Sequence, residues 1–363
     1  MKSSAKIFLL AWFYAGVIFS QVVVDSDSEP KVKGKNGFFP VPILFYLPST
    51  GYAFGGAALY YHNPEPDNPE RFPNILGGFA TYSTKKQIQV GTRANFYFGK
   101  NDYRFDLDAA FFRTPKEFWG IGGPTQKEDV TYDQYRIKAD FLFAVKKNFY
   151  LGPYIWYEKF DLYKYEKGGM IDTLGLLGSM GVVTSSLGIN LAIENRDSLF
   201  FPTKGFYIES KALFYRTWFG SDVDFFRFDL DLRYYVSFFN RQVLALQTIF
   251  NHTSGDVPIQ MMPKLGNYQM MRGYPMGKYT DEDLWTAQAE YRFPIWWKIG
   301  ASVFAGIGEV ASEVKNFNLN EIKFAFGYGL RYLLDDAQHV NVRLDIAHSV
   351  EGTFVYFTIQ EAF

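Results

Sequence analysis

The stretch Phe225-Phe226-Arg227-Phe228-Asp229-Leu230-Asp231-Leu232-Arg233-Tyr234-Tyr235-Val236 decides the fold class of this chain. Phe226, Phe228, Leu230, Leu232, Tyr234 and Val236 occupy one set of alternate positions, and Arg227, Asp229, Asp231 and Arg233 occupy the other. Successive side chains of a strand point to opposite faces, whereas helical spacing would mix the two sets. One face is therefore apolar and the other carries rows of both charges. A soluble β-sandwich also alternates, but it would have to pack that charged face into a core at considerable cost.

The same rhythm recurs outward from this segment. Ile322 to Tyr332 sets Phe324, Phe326, Tyr328, Leu330 and Tyr332 against Lys323, Ala325, Gly327, Gly329 and Arg331, and Val340 to Ile346 sets Val342 and Leu344 against Asn341, Arg343 and Asp345. Tyr103 to Phe111, Tyr135 to Phe143, Phe206 to Phe214 and Trp285 to Phe293 alternate likewise. Segments about ten residues long, tilted near 45°, cover roughly the 25 Å of a bilayer's apolar band. Aromatic residues such as Tyr234, Tyr291 and Phe293 end the apolar faces, as interfacial girdles do. The expected fold is all-β: a transmembrane antiparallel β-barrel, closed by strands that end at Phe363, with a long extracellular loop folded inward. About fifteen strands can be counted, and an even number is required, so about sixteen are expected. Val41 to Leu47 is the candidate for the missing one, made irregular by Pro40, Pro42 and Pro48.

Composition agrees with a membrane sheet and narrows the function. Aromatics make up 20 % of the 363 residues, with 38 Phe and 26 Tyr. The mean hydropathy of -0.13 is too low for a helical bundle but ordinary for alternating strands. A net charge of -1 gives no reason to expect nucleic acid as a partner. Cysteine is absent, which removes disulfides, thiolate metal sites and cysteine catalysis. His62, His252, His339 and His348 are scattered without metal-ligand spacing, so no metal and no cofactor are expected. No serine-hydrolase motif and no phosphate-binding glycine loop occur, and paired acids such as Asp106 and Asp108 have neighbouring cations; the chain does not read as an enzyme.

Residues 1–20 read as a signal peptide, with Lys2 and Lys6 before the apolar run Ile7 to Phe19, which is shorter than the roughly 20 residues a spanning helix needs. Residues 21–40 read as a polar periplasmic leader, and residues 41–363 as the barrel. Short turns at Asn240-Arg241, Pro294 to Lys298 and Leu334 to His339 are expected on the periplasmic side. Longer outer loops are expected at Thr114 to Thr131, Lys164 to Gly181, Asn251 to Asp283 and Ala311 to Glu321.

Four segments in order resemble the BamA/TamA-type outer-membrane assembly superfamily, also called the bacterial surface antigen family. They are Asn195-Arg196-Asp197 with Phe201-Pro202-Thr203-Lys204-Gly205; Met271-Arg272-Gly273-Tyr274; Gly327-Tyr328-Gly329-Leu330-Arg331-Tyr332; and Phe354 to Phe363. The resemblance implies a periplasmic turn built on Asp197, Pro202 and Gly205. It also implies a loop folded into the lumen, with Arg272 paired to an acid on the wall, Gly273 turning tightly and Tyr274 packing inside. A solvated surface arginine is the bland alternative. Where the family carries a Phe-x-Asp-x-Gly motif this chain has Phe304-Ala305-Gly306-Ile307-Gly308, with glycine in place of the aspartate. Alternation leaves Asp345, Glu290 and Glu309 as candidate acids, Asp345 being preferred; Asp345 could instead pair locally with Arg343 or Arg331.

The last strand, with Phe357, Ile359 and the terminal Phe363 on its apolar side, resembles the signal by which barrel precursors are inserted. Too few residues precede the first strand for the family's periplasmic polypeptide-transport-associated domains, so a barrel-only member is expected. The function implied is assembly, insertion or translocation of proteins at the bacterial cell outer membrane. The partners implied are outer-membrane lipids and other outer-membrane or periplasmic proteins. A passive pore is the alternative, or a scaffold attaching through surface loops such as Phe118-Trp119-Gly120-Ile121-Gly122-Gly123.

Overall fold

The computed structural model describes residues 36–47, 51–65, 74–123, 126–198, 201–239, 241–335, 340–359 and 361–363. The signal peptide and residues 21–35 of the leader lie outside the described residues, and residues 36–40 open the first strand. Among the described residues eighteen strands follow in chain order. The first half of the sheet contains β1 (Asn36–Leu47), β2 (Gly51–His62), β3 (Asn74–Ser83), β4 (Ile88–Phe98), β5 (Tyr103–Phe118), β6 (Glu128–Lys146), β7 (Phe149–Lys164) and β8 (Gly181–Glu194). β9 (Gly205–Tyr215), β10 (Phe225–Phe238) and β11 (Gln242–Gly255) come next, then the two-residue strands β12 (Lys264–Leu265) and β13 (Tyr279–Thr280). β14 (Asp283–Trp296), β15 (Ile299–Ala311), β16 (Lys323–Asp335), β17 (Val340–Ser349) and β18 (Gly352–Ile359) complete the chain.

Sixteen of these strands form one antiparallel sheet in sequence order, and β12 pairs with β13 in a separate ribbon. The deciding segment lies in β10, whose Asp229 stands opposite Lys211 of β9 and Asn251 of β11. The two faces are inverted relative to a soluble protein. On one face large apolar side chains stand exposed, among them Phe326 (49 %), Tyr328 (51 %), Leu330 (53 %) and Phe357 (58 %). On the other, Arg331, Arg343, Asp345, Glu290 and Arg292 are buried. An apolar patch that spans many strands exceeds what a water-exposed monomer tolerates.

The expected closed barrel is not found. Among the described residues β1 pairs only with β2 and β18 only with β17, so the sheet ends in two edges, and it is not strongly curled. The physical reason lies at those edges. Pro40 and Pro42 deprive β1 of two N–H donors, and the ladder stops at Ile359. Period-two alternation fixes which face is apolar, and an open sheet satisfies that as well as a closed one does.

Three strands are longer than their alternation alone suggested. β5, β6 and β7 run for 16, 19 and 16 residues, so the loop expected at Thr114 to Thr131 shrinks to residues 119–127. Their extra length carries Val130, Tyr132 and Phe160 into an apolar cluster with Ile171, Leu213, Tyr215, Val257, Ile259 and Met261. Segments 165–180 and 256–263 close over it. Tyr132 donates to the Ser179 carbonyl at 2.7 Å, Ile259 N to the Leu177 carbonyl at 3.1 Å and Gln260 Nε2 to the Gly178 carbonyl at 2.6 Å. In the loop at Trp119, Trp119 is buried and Gly122 N donates to Thr280 O at 2.7 Å, while Ile121 stays exposed.

Candidate functional site

Residues 264–282, the second part of the segment between β11 and β14, pack onto the polar face of β14 to β18 and place Arg272 at its centre. A tight turn starts the approach: Asn267 accepts from Gln269 N and Met270 N through its side chain, at 2.6 and 2.7 Å. Gln288 and Arg343 then hold the Gln269 and Tyr268 carbonyls at 2.7 and 2.9 Å. Met271 follows in a left-handed conformation (φ 51°) and Gly273 at φ 109°, a backbone only glycine adopts without strain. Gly273 N donates to the Tyr356 hydroxyl at 2.9 Å, and its carbonyl accepts from Ser349 Oγ at 2.5 Å, so the turn is tied to β17 and β18 together.

The Arg272 guanidinium donates to Asp345 Oδ2 through Nη1 and to Glu290 Oε2 through Nη2, each at 2.5 Å. Its Cζ lies over the Phe304 ring, 3.5 Å from the ring centre. All three ionic groups are at most 2 % exposed. Isolated, such charges would be prohibitive, so their neighbours decide whether they persist. Arg331 reaches Asp345 Oδ1 (2.5 Å), Glu290 Oε1 (3.1 Å) and Glu361 Oε2 (2.9 Å). Arg343 binds Asp345 Oδ2 (2.9 Å) and donates to Thr358 Oγ1 (2.5 Å), while Arg292 binds Glu290 Oε1 (2.8 Å) and donates to the Phe363 backbone oxygen (2.8 Å). Asp345 and Glu290 each meet three guanidinium groups. The bridging pair and the local pair weighed for Asp345 thus coexist in one lattice.

Glycines make room for this lattice. A Cβ at Gly329 would stand 2.1 Å from Asp345 Oδ1 and 2.6 Å from Arg331 Nη1. At Gly306, the position where the resemblance implied aspartate, a Cβ would stand 3.1 Å from Met271 Sδ. The space is filled by a thioether from the loop, and the carboxylates come from β14 and β17. Glu309 lies elsewhere, accepting from Asn318 N at 3.1 Å. Tyr274 is 2 % exposed, packs with Leu265, Met270, Met271 and Leu284, and donates to the Phe324 carbonyl at 3.1 Å. Burial raises its phenol above the ordinary range and keeps it a donor.

The remaining sequence-derived residues fall in two places. Asp197 accepts from Thr203 N (2.8 Å) and Lys204 N (3.2 Å) across the turn between β8 and β9, and Pro202 is buried. Gly205, at φ 104°, would put a Cβ 1.9 Å from the Asn195 carbonyl. At the C-terminal end the expected common apolar side breaks up. Phe357 is exposed, the side chain of Ile359 lies outside the described residues, and Phe363 is buried on the opposite face with Tyr235 and Ala245. Once the ladder stops, parity no longer governs side-chain direction. For the same reason Glu361, which shares the parity of exposed Phe357, is buried between Arg331 and Asn341. Glu361, Arg292 and Tyr356 were not singled out from sequence. The spacing of opposite charges two residues apart, in Glu290-x-Arg292 as in Arg343-x-Asp345, was the available signal for Arg292.

Among the described residues no group of His, Asp and Glu is placed to hold a metal ion, and no helix is long and apolar enough to cross a membrane, which says nothing of strands. A family model described as the Omp85 superfamily domain matches residues 74–349. No curated protein matches the chain. Among solved structures it is similar to BamA from Haemophilus ducreyi lacking POTRA domains 1-3, with a TM-score of 0.58 and 13 % identity over 90 % of this chain and 70 % of that one. It is also similar to CdiB from Acinetobacter baumannii, with a TM-score of 0.54 and 10 % identity over 90 % of this chain and 60 % of that one. At these identities the likeness is one of fold.

Proposed function

The chain belongs to the Omp85 superfamily, a family of non-enzymatic bacterial outer-membrane proteins, and from that premise we propose that it assembles, inserts or translocates other proteins at the outer membrane. The observation that carries the reading is the unequal character of the two sheet edges. β18 is braced from its polar face, through Tyr356 to Gly273 and through Thr358 to Arg343, while its outer edge pairs with no strand among the described residues. A rigid strand with free N–H and C=O groups is a template for an incoming strand. β1 is a poor template because Pro40 and Pro42 remove donors from it.

On this reading the Met271–Tyr274 loop holds the template edge straight, and the exposed apolar face meets outer-membrane lipids. The Asp197, Pro202 and Gly205 turn fixes the hairpin that opens the second half of the sheet. Phe357, Ile359 and Phe363 serve this chain's own insertion. The polar face does not favour a passive pore, since Arg227 pairs with Asp229 (2.8 Å) and Arg233 with Asp231 (2.6 Å) along their own strand. Depleting the protein and quantifying other β-barrel proteins in the outer-membrane fraction tests the proposal. Their loss is the expected result, and unchanged abundance of every one of them rejects it.

A further inference from the structure

We infer that the turns joining β10 to β11 and β14 to β15 are seated in the membrane, with Phe239, Ile295, Trp296 and Trp297 at the boundary between acyl chains and headgroups of the phospholipid leaflet on their side. The inference rests on the reading of the apolar face as lipid-facing and extends it past the strands. Ile295, Trp296 and Trp297 are consecutive, and each is more than half exposed. A regular strand would turn one of each neighbouring pair to the opposite face. Here the ladder to β15 shifts register between Pro294 and Trp296, and such a bulge re-aims the side chains beside it. Trp297 then takes a left-handed conformation (φ 50°), and Phe239, 89 % exposed, takes the same one (φ 50°) just past the end of β10. Bulky aromatics rarely adopt that backbone. Two hairpins thus hold a large ring outward at a conformational cost.

The patch is continuous with the apolar face. The centre of the Trp297 ring lies 6.3 Å from that of Trp296 and 6.3 Å from that of Tyr332, and Leu333 N donates to the Lys298 carbonyl at 2.9 Å, fastening the turn to β16. Tyr332 heads the exposed row of Phe324, Phe326, Tyr328 and Leu330. The Tyr291 hydroxyl donates to Gln242 Oε1, joining the outer face of β14 to the start of β11 beside the Phe239 tip. Aromatic rings with one polar edge favour the water–lipid interface. A cation follows each aromatic tip, Lys298 next to Trp297 and Arg241 two residues after Phe239, and such side chains reach headgroup phosphates while their stems stay in apolar surroundings. By contrast, the turns at Gly99 to Asp102 and at Lys147-Asn148 carry no apolar side chain. A docked protein fits the patch less well, since four side chains fall short of the roughly 20–30 residues that a stable protein interface takes from each side.

The test uses the full chain in nanodiscs of phosphatidylethanolamine and phosphatidylglycerol, with one bimane-labelled cysteine at a time: Ile295→Cys, Phe239→Cys, Lys100→Cys, Lys147→Cys or Leu330→Cys. Quenching by brominated acyl chains is compared with quenching by iodide. Labels at 295 and 239 should resemble the label at 330, with bromolipid quenching at least about twofold stronger than at 100 and 147. Iodide quenching at 295 and 239 as strong as at 100 and 147, with 330 still shielded, overturns this inference alone. Strong iodide quenching at 330 as well overturns the lipid-facing reading beneath it. Adding Trp296→Gln and Trp297→Gln to the Ile295→Cys chain should raise iodide quenching at 295, and the same pair in the Leu330→Cys chain should leave 330 shielded. Unchanged quenching at 295 overturns the anchoring role of the two tryptophans.

Discussion

Replacing Arg272 by alanine removes two charge-assisted hydrogen bonds and the stacking on Phe304. At roughly 1.5–3 kcal/mol each, the two bonds set an upper bound of about 3–6 kcal/mol. The bound is not reached, because Asp345 keeps Arg331 and Arg343 while Glu290 keeps Arg331 and Arg292. Neither carboxylate is orphaned, which separates this case from the breaking of an isolated buried pair. The lattice also holds four guanidinium groups (Arg272, Arg292, Arg331, Arg343) against three carboxylates (Glu290, Asp345, Glu361), so the loss of one cation relieves some repulsion. We expect a net cost of about 2–3 kcal/mol, concentrated on docking of residues 256–282, which corresponds to a roughly 30- to 150-fold larger open population of that segment. Native-state hydrogen exchange with mass spectrometry reads this directly. Faster exchange should appear in peptides covering 256–282 while β5 to β8 stay unchanged. Exchange across 256–282 identical to the wild type would refute the reasoning. Arg272→Lys should recover only part of the protection, since an ammonium can neither fork to two carboxylates nor stack on Phe304 in the same way.

Gly329→Ala should lower the temperature at which the folded form is lost on gels, by an amount equivalent to about 1–3 kcal/mol, because its Cβ would collide with the Asp345 carboxylate. Gly306→Ala should cost less, since the flexible Met271 thioether can give way. Gly205→Ala should slow or prevent formation of the β8–β9 hairpin, measurable as a smaller folded fraction after refolding into detergent, given its φ of 104° and the nearby Asn195 carbonyl. Stability should rise with pH between about 7 and the ordinary lysine range: burial depresses the Lys264 ammonium to about 7 when folded, so the unfolded chain binds more protons in that window. Chemical denaturation at pH 7 and 9 checks the sign, and Lys264→Met should flatten the slope.

The alternation in Phe225 to Val236 made the strand, its two faces and its charged row readable, and the same logic extended to β16 and β17. That Asp345 and Glu290 share the face of Arg331 also followed from parity. Closure did not, because no local pattern records whether β1 and β18 meet, and the proline positions that blunt β1 were read as an irregularity only. The limits of parity appear again at Glu361 and Phe363, where the chain leaves the ladder. Packing of one loop on another, as between Gly178 and Gln260, involves residues 82 positions apart with no shared periodicity. The thioether of Met271 filling the space over Gly306 belongs to the same class of non-local contact.

The inverted partition of the two faces is the claim on which the rest depends, and the absence of native cysteine makes it directly measurable. Single cysteines at Phe326, Tyr328 and Leu330 on the apolar face, and at Thr286 and Gln288 on the polar face, can carry nitroxide spin labels in reconstituted bilayers. Labels at 326, 328 and 330 should collide readily with oxygen and rarely with a water-soluble nickel complex, whereas labels at 286 and 288 should show low access to lipid-dissolved oxygen. Equal water access at all five positions would contradict a sheet whose apolar face meets lipid.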